Sequence, residues 1–413
     1  MVDTLAEPTG KRAGLSPDPL ADLTPETLVT TYARLREAAP VHWSRYFGGW
    51  VLTRHADAVT VLGDPTFLAD DPIARFDRLE KRGGVSLPNL RTLLTDVPFY
   101  TNPPRHLLLR RFLSRLFQLL ELTEVRGRLA ERADALMSAA RQAGGINLVA
   151  GFGNDLALFV MSTALSLPFE DCVAVAGNFH EVARNFELEP KPLRELRRTE
   201  AGVGVVLDYF ERLVVERRGG PEEDGFSLLV RLGDRELGMN DRELAGFCTF
   251  VFMGGQETTG TGIPHAAVML LERGDVRARL AAKPGKIAGA ARELLRLAAP
   301  FQYVARIASR DGEIGGQAIA AGERVNIILG AANRDPAAFL DPDAIDIDRQ
   351  GPDSLAFGHG AYRCLGMAVA HMETEVALAA LLANPDLRLV PGSVVWDTRT
   401  RVPALTRAWA EFA

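Results

Sequence analysis

The chain has 413 residues, and 47% of them are hydrophobic, which is enough to build a large core. A formal net charge of −6 argues against general nucleic-acid binding. The longest uncharged apolar run, at 247–255, is too short to cross a membrane, and the first fourteen residues lack the apolar region of a signal peptide. Three cysteines make a disulfide framework improbable. We therefore expect a cytoplasmic protein without a membrane anchor.

Short elements of both kinds are predicted for the first third of the chain. The segment 1–24 is expected to be a flexible N-terminal extension. A helix is predicted at 25–38, a strand at 50–53 and a second helix at 56–62, which ends at a Gly-Asp-Pro turn. Residues 70–100 are charged, interrupted by glycine and proline, and aperiodic. Long loops of this kind in compact domains are usually functional, so we expect this loop to cover a site.

The middle of the chain is predicted to be helical, and strands return near the C-terminus. Apolar residues recur at helical spacing in 104–118, 124–142, 154–166, 171–186, 193–218, 241–273 and 286–297. Strand-like segments are found at 314–319, 324–329 and 387–405. The expected fold is a mainly α protein with a small β-rich lobe, in a single domain over 1–413. Strands and helices do not alternate, and this excludes a dinucleotide-binding reading of the scattered Gly-x-Gly pairs.

The stretch Phe357-Gly358-His359-Gly360-Ala361-Tyr362-Arg363-Cys364-Leu365-Gly366 carries the strongest chemical signal. Two glycines allow the backbone to turn beneath a flat ligand. The helix predicted to follow would point its first N–H groups at the Cys364 sulfur and favour the thiolate. This combination suits an axial thiolate ligand for haem iron. The alternative is an ordinary buried free thiol, which is how Cys172 and Cys248 are interpreted.

This stretch closely resembles the haem-binding loop of the cytochrome P450 family, whose pattern is F-G-x-G-x-H-x-C-x-G. Phe357, Gly358, Gly360, Cys364 and Gly366 match it. Tyr362 stands where bacterial members usually carry His. Similarity to the family extends from about residue 25 to the C-terminus. The resemblance implies a triangular, mainly helical fold that binds haem b (iron protoporphyrin IX), with Cys364 as the ligand to the iron.

Further haem contacts are implied by the same resemblance. His106 and Arg110, four residues apart on one predicted helix, match the family pattern that grips one haem propionate. Arg306 matches the arginine that binds the other, and arginine suits a buried carboxylate. We expect the Tyr362 hydroxyl to donate a hydrogen bond to a propionate in place of the usual His. His55, His265, His359 and His371 show no such pattern.

A polar segment, 254–259, interrupts the apolar run of the predicted 241–273 helix. Polar groups inside a buried helix are costly unless they have partners or a function. The segment resembles the family motif A/G-G-x-D/E-T, in which Glu257 and Thr258 would be the catalytic pair that relays protons during oxygen activation. Thr259 is a possible substitute for Thr258. Two kinks are expected from the helix-breaking residues Gly260, Gly262 and Pro264.

Glu293 and Arg296 lie three apart on one predicted helix, where such ion pairs are ordinary. In context they resemble the family's E-x-x-R pair, which supports the cysteine loop from behind. The family usually adds a second arginine, and Ala344 occupies its position here. The triad is therefore expected to be incomplete, with Arg296 bonded to a backbone carbonyl or to water instead.

The resemblance implies a haem-thiolate monooxygenase that oxidises an apolar small molecule, with natural-product biosynthesis as the expected context. It would use O2 and electrons from a ferredoxin with its ferredoxin reductase. The expected ferredoxin site is the basic helix face at Arg111 and Arg115, and the protein is expected to be a monomer. Hydroxylation is the favoured reaction. Desaturation, ring formation and oxidative coupling remain open alternatives, and a non-catalytic haem sensor or carrier is a weaker one.

The substrate pocket is implied by the resemblance rather than by any motif. Its aromatic residues suggest a largely apolar site. The expected lining is 70–100, 179–196, Phe250, Gly254, Val304 and the tail near Trp396.

Overall fold

Helices make up most of the structure, as predicted, and the strands form a smaller lobe. The computed structural model describes residues 15, 17–73, 76–77, 80–81, 86–119, 122–178, 193–221, 223–397 and 404–413. The α-helices with bounds in the described residues are α1 (Leu28–Ala38), α2 (His55–Gly63), α3 (Pro88–Thr95), α4 (Arg105–Leu119), α5 (Leu122–Ala143), α6 (Asn154–Leu165), α7 (Phe169–Ala176), α8 (Leu193–Gly219), α9 (Gly225–Glu236), α10 (Asp241–Glu272), α11 (Gly274–Ala282), α12 (Ile287–Ala298), α13 (Leu329–Ala332) and α14 (Met367–Ala383).

The strands form two small sheets and two hairpins. They are β1 (Val41–Ser44), β2 (Gly49–Leu52), β3 (Phe67–Ala69), β4 (Gly145–Asn147), β5 (Tyr303–Ala308), β6 (Gly312–Ile314), β7 (Gln317–Ile319), β8 (Arg324–Ile328), β9 (Leu387–Leu389), β10 (Val395–Asp397), β11 (Ala404–Arg407) and β12 (Trp409–Phe412). The five-stranded sheet has the order β1-β2-β8-β5-β3, in which only β2 and β8 run parallel. A three-stranded sheet joins β4, β12 and β9.

Helix α10 passes through the centre of the helical part and packs against α6, α8, α12 and α14. It begins with a capping box, in which Asn240 and Glu243 each accept a hydrogen bond from the other's backbone N–H. The helix continues unbroken for 32 residues, and the two expected kinks stay a prediction. Pro264 faces Gly153, where a Cβ atom would collide with the proline ring. The absence of a side chain at Gly153 therefore makes room for Pro264.

The structure differs from the sequence predictions in several elements. The predicted loop 70–100 contains helix α3, which buries Leu90, Leu93 and Leu94. Helices α9 and α11 and strand β5 were not predicted. Helix α7 ends at Ala176, well before the predicted end at 186, and Gly177 and Asn178 form a turn; residues 179–192 lie outside the described ranges.

The predicted flexible extension is only partly described, because residues 1–14 and 16 lie outside the described ranges. Within it, Leu20 and Leu23 are buried against Tyr32 and Leu35 of α1. This part of the extension is therefore packed against α1, and the flexibility of the segment as a whole stays a prediction.

One described stretch, Leu148–Leu165, is long and apolar enough to span a membrane by length and composition. It comprises a π-helical segment, Leu148–Gly153, followed by α6. Just over half of it, 56%, is buried inside the fold. Packing against α10 accounts for its apolar character, since core helices of soluble proteins have the same composition.

Candidate active site

The cysteine loop lies immediately before helix α14 and is closed by its own backbone. The Cys364 N–H donates to the Phe357 carbonyl at 2.9 Å, and the Arg363 N–H donates to the Gly360 carbonyl at 3.1 Å. Cys364 is the exposed cysteine of the three, whereas Cys172 and Cys248 are buried, as predicted. The loop therefore presents one thiol from a rigid frame.

Two opposing influences act on the Cys364 thiol. Burial of the surrounding loop raises its pKa, while the N–H groups of Gly366 and Met367 and the nearby Arg110 cation oppose this rise. These N–H groups are at the start of α14, and their orientation toward the sulfur is the predicted one. A thiol held in this way is prepared to ligate as a thiolate once a metal provides the compensating charge.

The two loop glycines are required for different reasons. Gly358 has φ +70°, which favours glycine. Gly360 has φ +67°, and a Cβ atom there would also collide with the Leu62 carbonyl at the end of α2. The loop thus packs closely on α2, a constraint that the sequence pattern alone did not reveal.

Three basic side chains meet beside this loop without acidic partners. Arg110 donates to the Arg363 carbonyl at 2.8 Å, and Arg306 donates to its neighbouring Ala305 carbonyl at 2.8 Å. His106 is 1% exposed, and neither of its ring nitrogens has a hydrogen-bond partner within the described ranges. In the described part of the chain neither guanidinium pairs with a carboxylate. This cluster is therefore prepared for an anionic ligand.

Electrostatics agree with that interpretation. Burial, together with Arg110 and Arg306, lowers the pKa of His106 to about 4. Burial likewise lowers the pKa of Arg306 to about 10. Both shifts show basic groups that are desolvated and lack a negative charge. Two carboxylates placed here would satisfy them, so the residues fit the propionates of a haem.

Tyr362 contributes its ring, not its hydroxyl, to this cluster. Its ring stacks on His106 with centroids 4.1 Å apart, and the Arg306 guanidinium carbon lies 4.4 Å from the ring centroid. Its O–H is directed to the Asn102 Oδ1 at 3.0 Å and the Thr101 carbonyl at 3.1 Å. Protein oxygens accept the single phenolic proton in this structure, and donation to a propionate stays a prediction.

The polar segment of α10 lies on an accessible face of an otherwise buried helix. Gly254 is exposed and Glu257 and Thr258 are half-buried, whereas Met253, Gln256 and Thr259 are buried. Thr258 donates its hydroxyl to the Gly254 carbonyl at 2.8 Å. Burial raises the pKa of Glu257 to about 7, a value that suits a carboxyl group handling protons near neutrality.

Thr259 cannot substitute for Thr258, because it lies on another side of the helix. Its side chain is 7% exposed and hydrogen-bonds to the buried Glu373 of α14. Burial raises the pKa of Glu373 well above its ordinary value, while the contact with Thr259 opposes this rise. The Thr259–Glu373 contact therefore joins α10 to α14.

The Glu293–Arg296 pair is buried, bidentate and complete. Arg296 donates to both Glu293 carboxylate oxygens at 2.8 Å. As predicted, it also donates to backbone carbonyls, those of Asn333 at 2.5 Å and Pro342 at 2.8 Å. The expectation of an incomplete triad is wrong, because Arg349 donates to Glu293 at 2.8 Å. Arg349 comes five residues after Ala344, and its basic side chain in an acidic segment was the available signal.

Asn333, which the sequence analysis missed, connects this pair to the cysteine loop. Its Nδ2 donates to the Arg296 carbonyl at 3.2 Å, and its Oδ1 accepts the Leu355 N–H at 2.7 Å. Leu355 begins the turn that leads into the loop. The buried ion pair thus holds the loop through a single amide side chain.

Comparison with known proteins agrees with this geometry. Residues 288–408 match the family model described as Cytochrome P450. The chain is 34% identical over 378 residues to nocardicin C N-oxygenase of Nocardia uniformis subsp. tsuyamanensis, covering 88% of this chain and 90% of that protein. The chain belongs to the cytochrome P450 family. Cytochrome P450-SU2 of Streptomyces griseolus is 33% identical, over 94% of this chain and 91% of its own.

The P450 fold is confirmed by solved structures. The crystal structure of CalO2 superposes with a TM-score of 0.85 at 29% identity, covering 96% of this chain and 98% of that one. Members of the P450 family are oxidoreductases that bind haem b through a cysteine thiolate and use O2, redox partners and small-molecule substrates. The predicted fold, enzyme class and cofactor are confirmed.

The structure describes part of the predicted substrate pocket. Phe99 lies beside Phe301, with ring centroids 5.8 Å apart, and Val304 is buried on β5. The Trp396 ring packs on the His265 ring, with centroids 5.2 Å apart. The predicted lining residues at 179–192, which include Phe179 and Phe186, lie outside the described ranges.

Proposed function

We propose that this P450 would hold haem b through the Cys364 thiolate, with His106, Arg110 and Arg306 as the side chains that bind its propionates. The observation that carries the proposal is the cluster of buried basic groups without carboxylate partners, beside the one exposed cysteine. Phe357, Gly358, Gly360 and Gly366 shape the loop. Tyr362 completes the site with its ring.

The proposed reaction is hydroxylation of an apolar small molecule by the single domain 1–413. In balance, O2, two electrons, two protons and a C–H bond give an alcohol and water. Haem with a thiolate ligand supplies oxygen activation and insertion. Glu257 carries protons toward the site, because its pKa of about 7 lets it take up and release them near neutral pH. Thr258 offers its hydroxyl for the last hydrogen bond of this proton path. In the structure that hydroxyl donates to the Gly254 carbonyl.

The pocket is proposed to select an apolar ligand with a flat or aromatic part. Phe99 and Phe301 offer ring faces, and Gly254 leaves the adjacent helix face without a side chain. The relatives named for nocardicin C and for other natural products support a substrate from natural-product biosynthesis. Desaturation, ring formation and coupling would use the same site.

The electron donor is proposed to be a ferredoxin, with its reductase, that docks near the cysteine loop. Arg111 is exposed on α4, and Arg115 is also exposed but pairs with Glu236 at 2.5 Å. Arg111 is therefore the stronger candidate contact, since Arg115 is already neutralised. We propose a monomeric cytoplasmic protein, in keeping with its soluble bacterial relatives.

Product formation tests the proposed function. The purified holoenzyme, a surrogate ferredoxin, its reductase and NADPH are incubated with a panel of apolar compounds that shift the Soret band. Oxygen-dependent appearance of a product heavier by one oxygen atom supports hydroxylation. A compound that binds and is never oxidised, while NADPH consumption stays at the ligand-free rate, would contradict catalysis in favour of a haem carrier.

A further inference from the structure

Asn102 joins three separate elements next to the proposed haem site. Its Oδ1 accepts the Ala69 N–H of β3 at 2.8 Å, and its Nδ2 donates to the Ala69 carbonyl at 3.3 Å. Its backbone carbonyl accepts the His106 N–H of α4 at 3.1 Å. The Tyr362 hydroxyl donates to the same Oδ1 at 3.0 Å. One amide side chain and its carbonyl therefore fix β3, the start of α4 and the cysteine loop together.

Each element held by Asn102 carries or contacts a proposed propionate ligand. Ala69 is the register partner of Arg306 in the β3–β5 ladder. His106 lies in the first turn of α4, four residues after Asn102. Tyr362 touches both, by stacking on the His106 ring and by lying under the Arg306 guanidinium. The contacts form a closed circuit from Arg306 through Ala69, Asn102 and Tyr362 back to Arg306.

This circuit addresses an electrostatic problem. Arg110, Arg306 and His106 repel one another when all three are protonated. No carboxylate of the described residues pairs with them to offset their positive charge. The face of an aromatic ring attracts a guanidinium cation, so the Tyr362 ring can hold Arg306 in place. The ring in turn stays in place because its hydroxyl is anchored on Asn102 and Thr101.

Asn102 also ends the segment that covers the proposed pocket. Residues 97–102 fold as a tight turn, in which Tyr100 N–H and Thr101 N–H both donate to the Val97 carbonyl at 3.0 Å. Phe99 of this turn faces Phe301. The Tyr362 hydroxyl reaches two consecutive residues of the turn's end, so a shift of the ring is transmitted to the residues beside the pocket.

We propose that Asn102 and Tyr362 are positioning residues that couple haem retention to the placement of the pocket-covering turn 97–102. The inference rests on the proposed haem site and adds a link between that site and ligand selection. Loosening the hydrogen bond between these two side chains speeds haem loss and weakens ligands that reach the turn. Ligands that touch only the iron are unaffected.

Holoenzyme variants test the link. The set is Tyr362→Phe, Asn102→Ala, their double variant and the control Tyr209→Phe; the Tyr209 hydroxyl bonds to Asp171. Haem transfer to excess apomyoglobin gives the rate of haem loss. Soret titrations give Kd for 4-phenylimidazole, which is large enough to reach the pocket walls, and for imidazole, which is not.

The expected result is a specific pattern. Tyr362→Phe speeds haem transfer and weakens 4-phenylimidazole between about two- and ten-fold, the effect of one hydrogen bond. Asn102→Ala does so by at least as much, because it also removes the two hydrogen bonds to Ala69. The double variant falls short of the sum of the two single effects, because both changes remove the hydrogen bond between these two side chains. Imidazole binding and Tyr209→Phe stay at wild-type values.

Other outcomes separate the link from the site itself. Additive effects, unchanged haem transfer, or faster haem transfer with unchanged 4-phenylimidazole affinity would overturn the coupling. In each of these cases a thiolate-type spectrum of the reduced carbon monoxide complex would leave the proposed haem site intact. Absence of that spectrum in the wild-type protein would instead contradict the proposed function.

Discussion

Arg349 donates to the Glu293 carboxylate at 2.8 Å, on the same oxygen that receives Arg296. Glu293 is 3% exposed, and the two arginines hold its pKa below the ordinary value despite burial. Arg349 also donates to the Leu340 carbonyl at 2.5 Å. The segment 340–349 is thus wrapped around one buried carboxylate, behind the cysteine loop.

Removing either Arg296 or Glu293 should release the cysteine loop. Arg296→Ala leaves a buried carboxylate with one partner fewer, which costs about 3–5 kcal/mol, so we expect no haem incorporation. Glu293→Ala should behave the same way. Arg349→Ala should fold, with lower thermal stability and reduced haem content, because Arg296 still pairs with Glu293. The measurement is the haem-to-protein ratio after purification.

A neighbouring ion pair provides the control for that series. Arg279 is half exposed and pairs loosely with Asp348 at 3.6 Å, so Arg279→Ala should cost less than about 1 kcal/mol. Soluble, fully haem-loaded Arg296→Ala protein would show that the triad does not support the loop.

Thr258 and Thr259 should differ sharply when each is changed to alanine. Thr258→Ala removes the hydroxyl on the accessible face of α10, so we expect normal ligand binding and first-electron reduction, with NADPH diverted to hydrogen peroxide. Thr259→Ala removes the partner of Glu373 and should lower stability by about 1–3 kcal/mol without changing the peroxide yield. The ratio of product to NADPH consumed distinguishes them. Equal coupling in both variants would contradict a specific role for Thr258.

Glu257 predicts a defined pH dependence. Its pKa is raised from 4.5 to about 7, so the carboxyl group loses its proton as the pH rises through about 7. Turnover limited by proton delivery should therefore fall over that range, with a solvent isotope effect, and Glu257→Gln should be slower and lack this limb. A wild-type rate that is flat from pH 6 to 8.5, and equal to that of Glu257→Gln, would exclude the relay.

The same shift predicts an effect on stability. The unfolded chain releases the Glu257 proton at about pH 4.5, whereas the folded chain keeps it until about pH 7. The free energy of unfolding of wild type should fall between these values relative to Glu257→Gln, by up to about 3 kcal/mol, and then level off. Paired thermal melts of the two holoproteins at pH 4.5, 6 and 8 measure this difference.

The sequence predicted the helical core and the cysteine loop because both depend on local patterns. Apolar periodicity located α10 to within one residue at its end, and the glycines around Cys364 marked the loop. Arg349, Asn333 and Asn102 escaped prediction because their roles depend on contacts between residues distant in sequence. The protein acceptors of the Tyr362 hydroxyl escaped prediction for the same reason, since they lie some 260 positions away.

The most direct test of the account is the spectrum of the reduced protein with carbon monoxide. Wild type and the control Cys172→Ala, which changes a buried thiol, should both show the red-shifted Soret band of thiolate ligation. Cys364→His should lose that band, because a neutral imidazole replaces the thiolate. A thiolate-type band that persists in Cys364→His would contradict the assignment of Cys364 as the ligand.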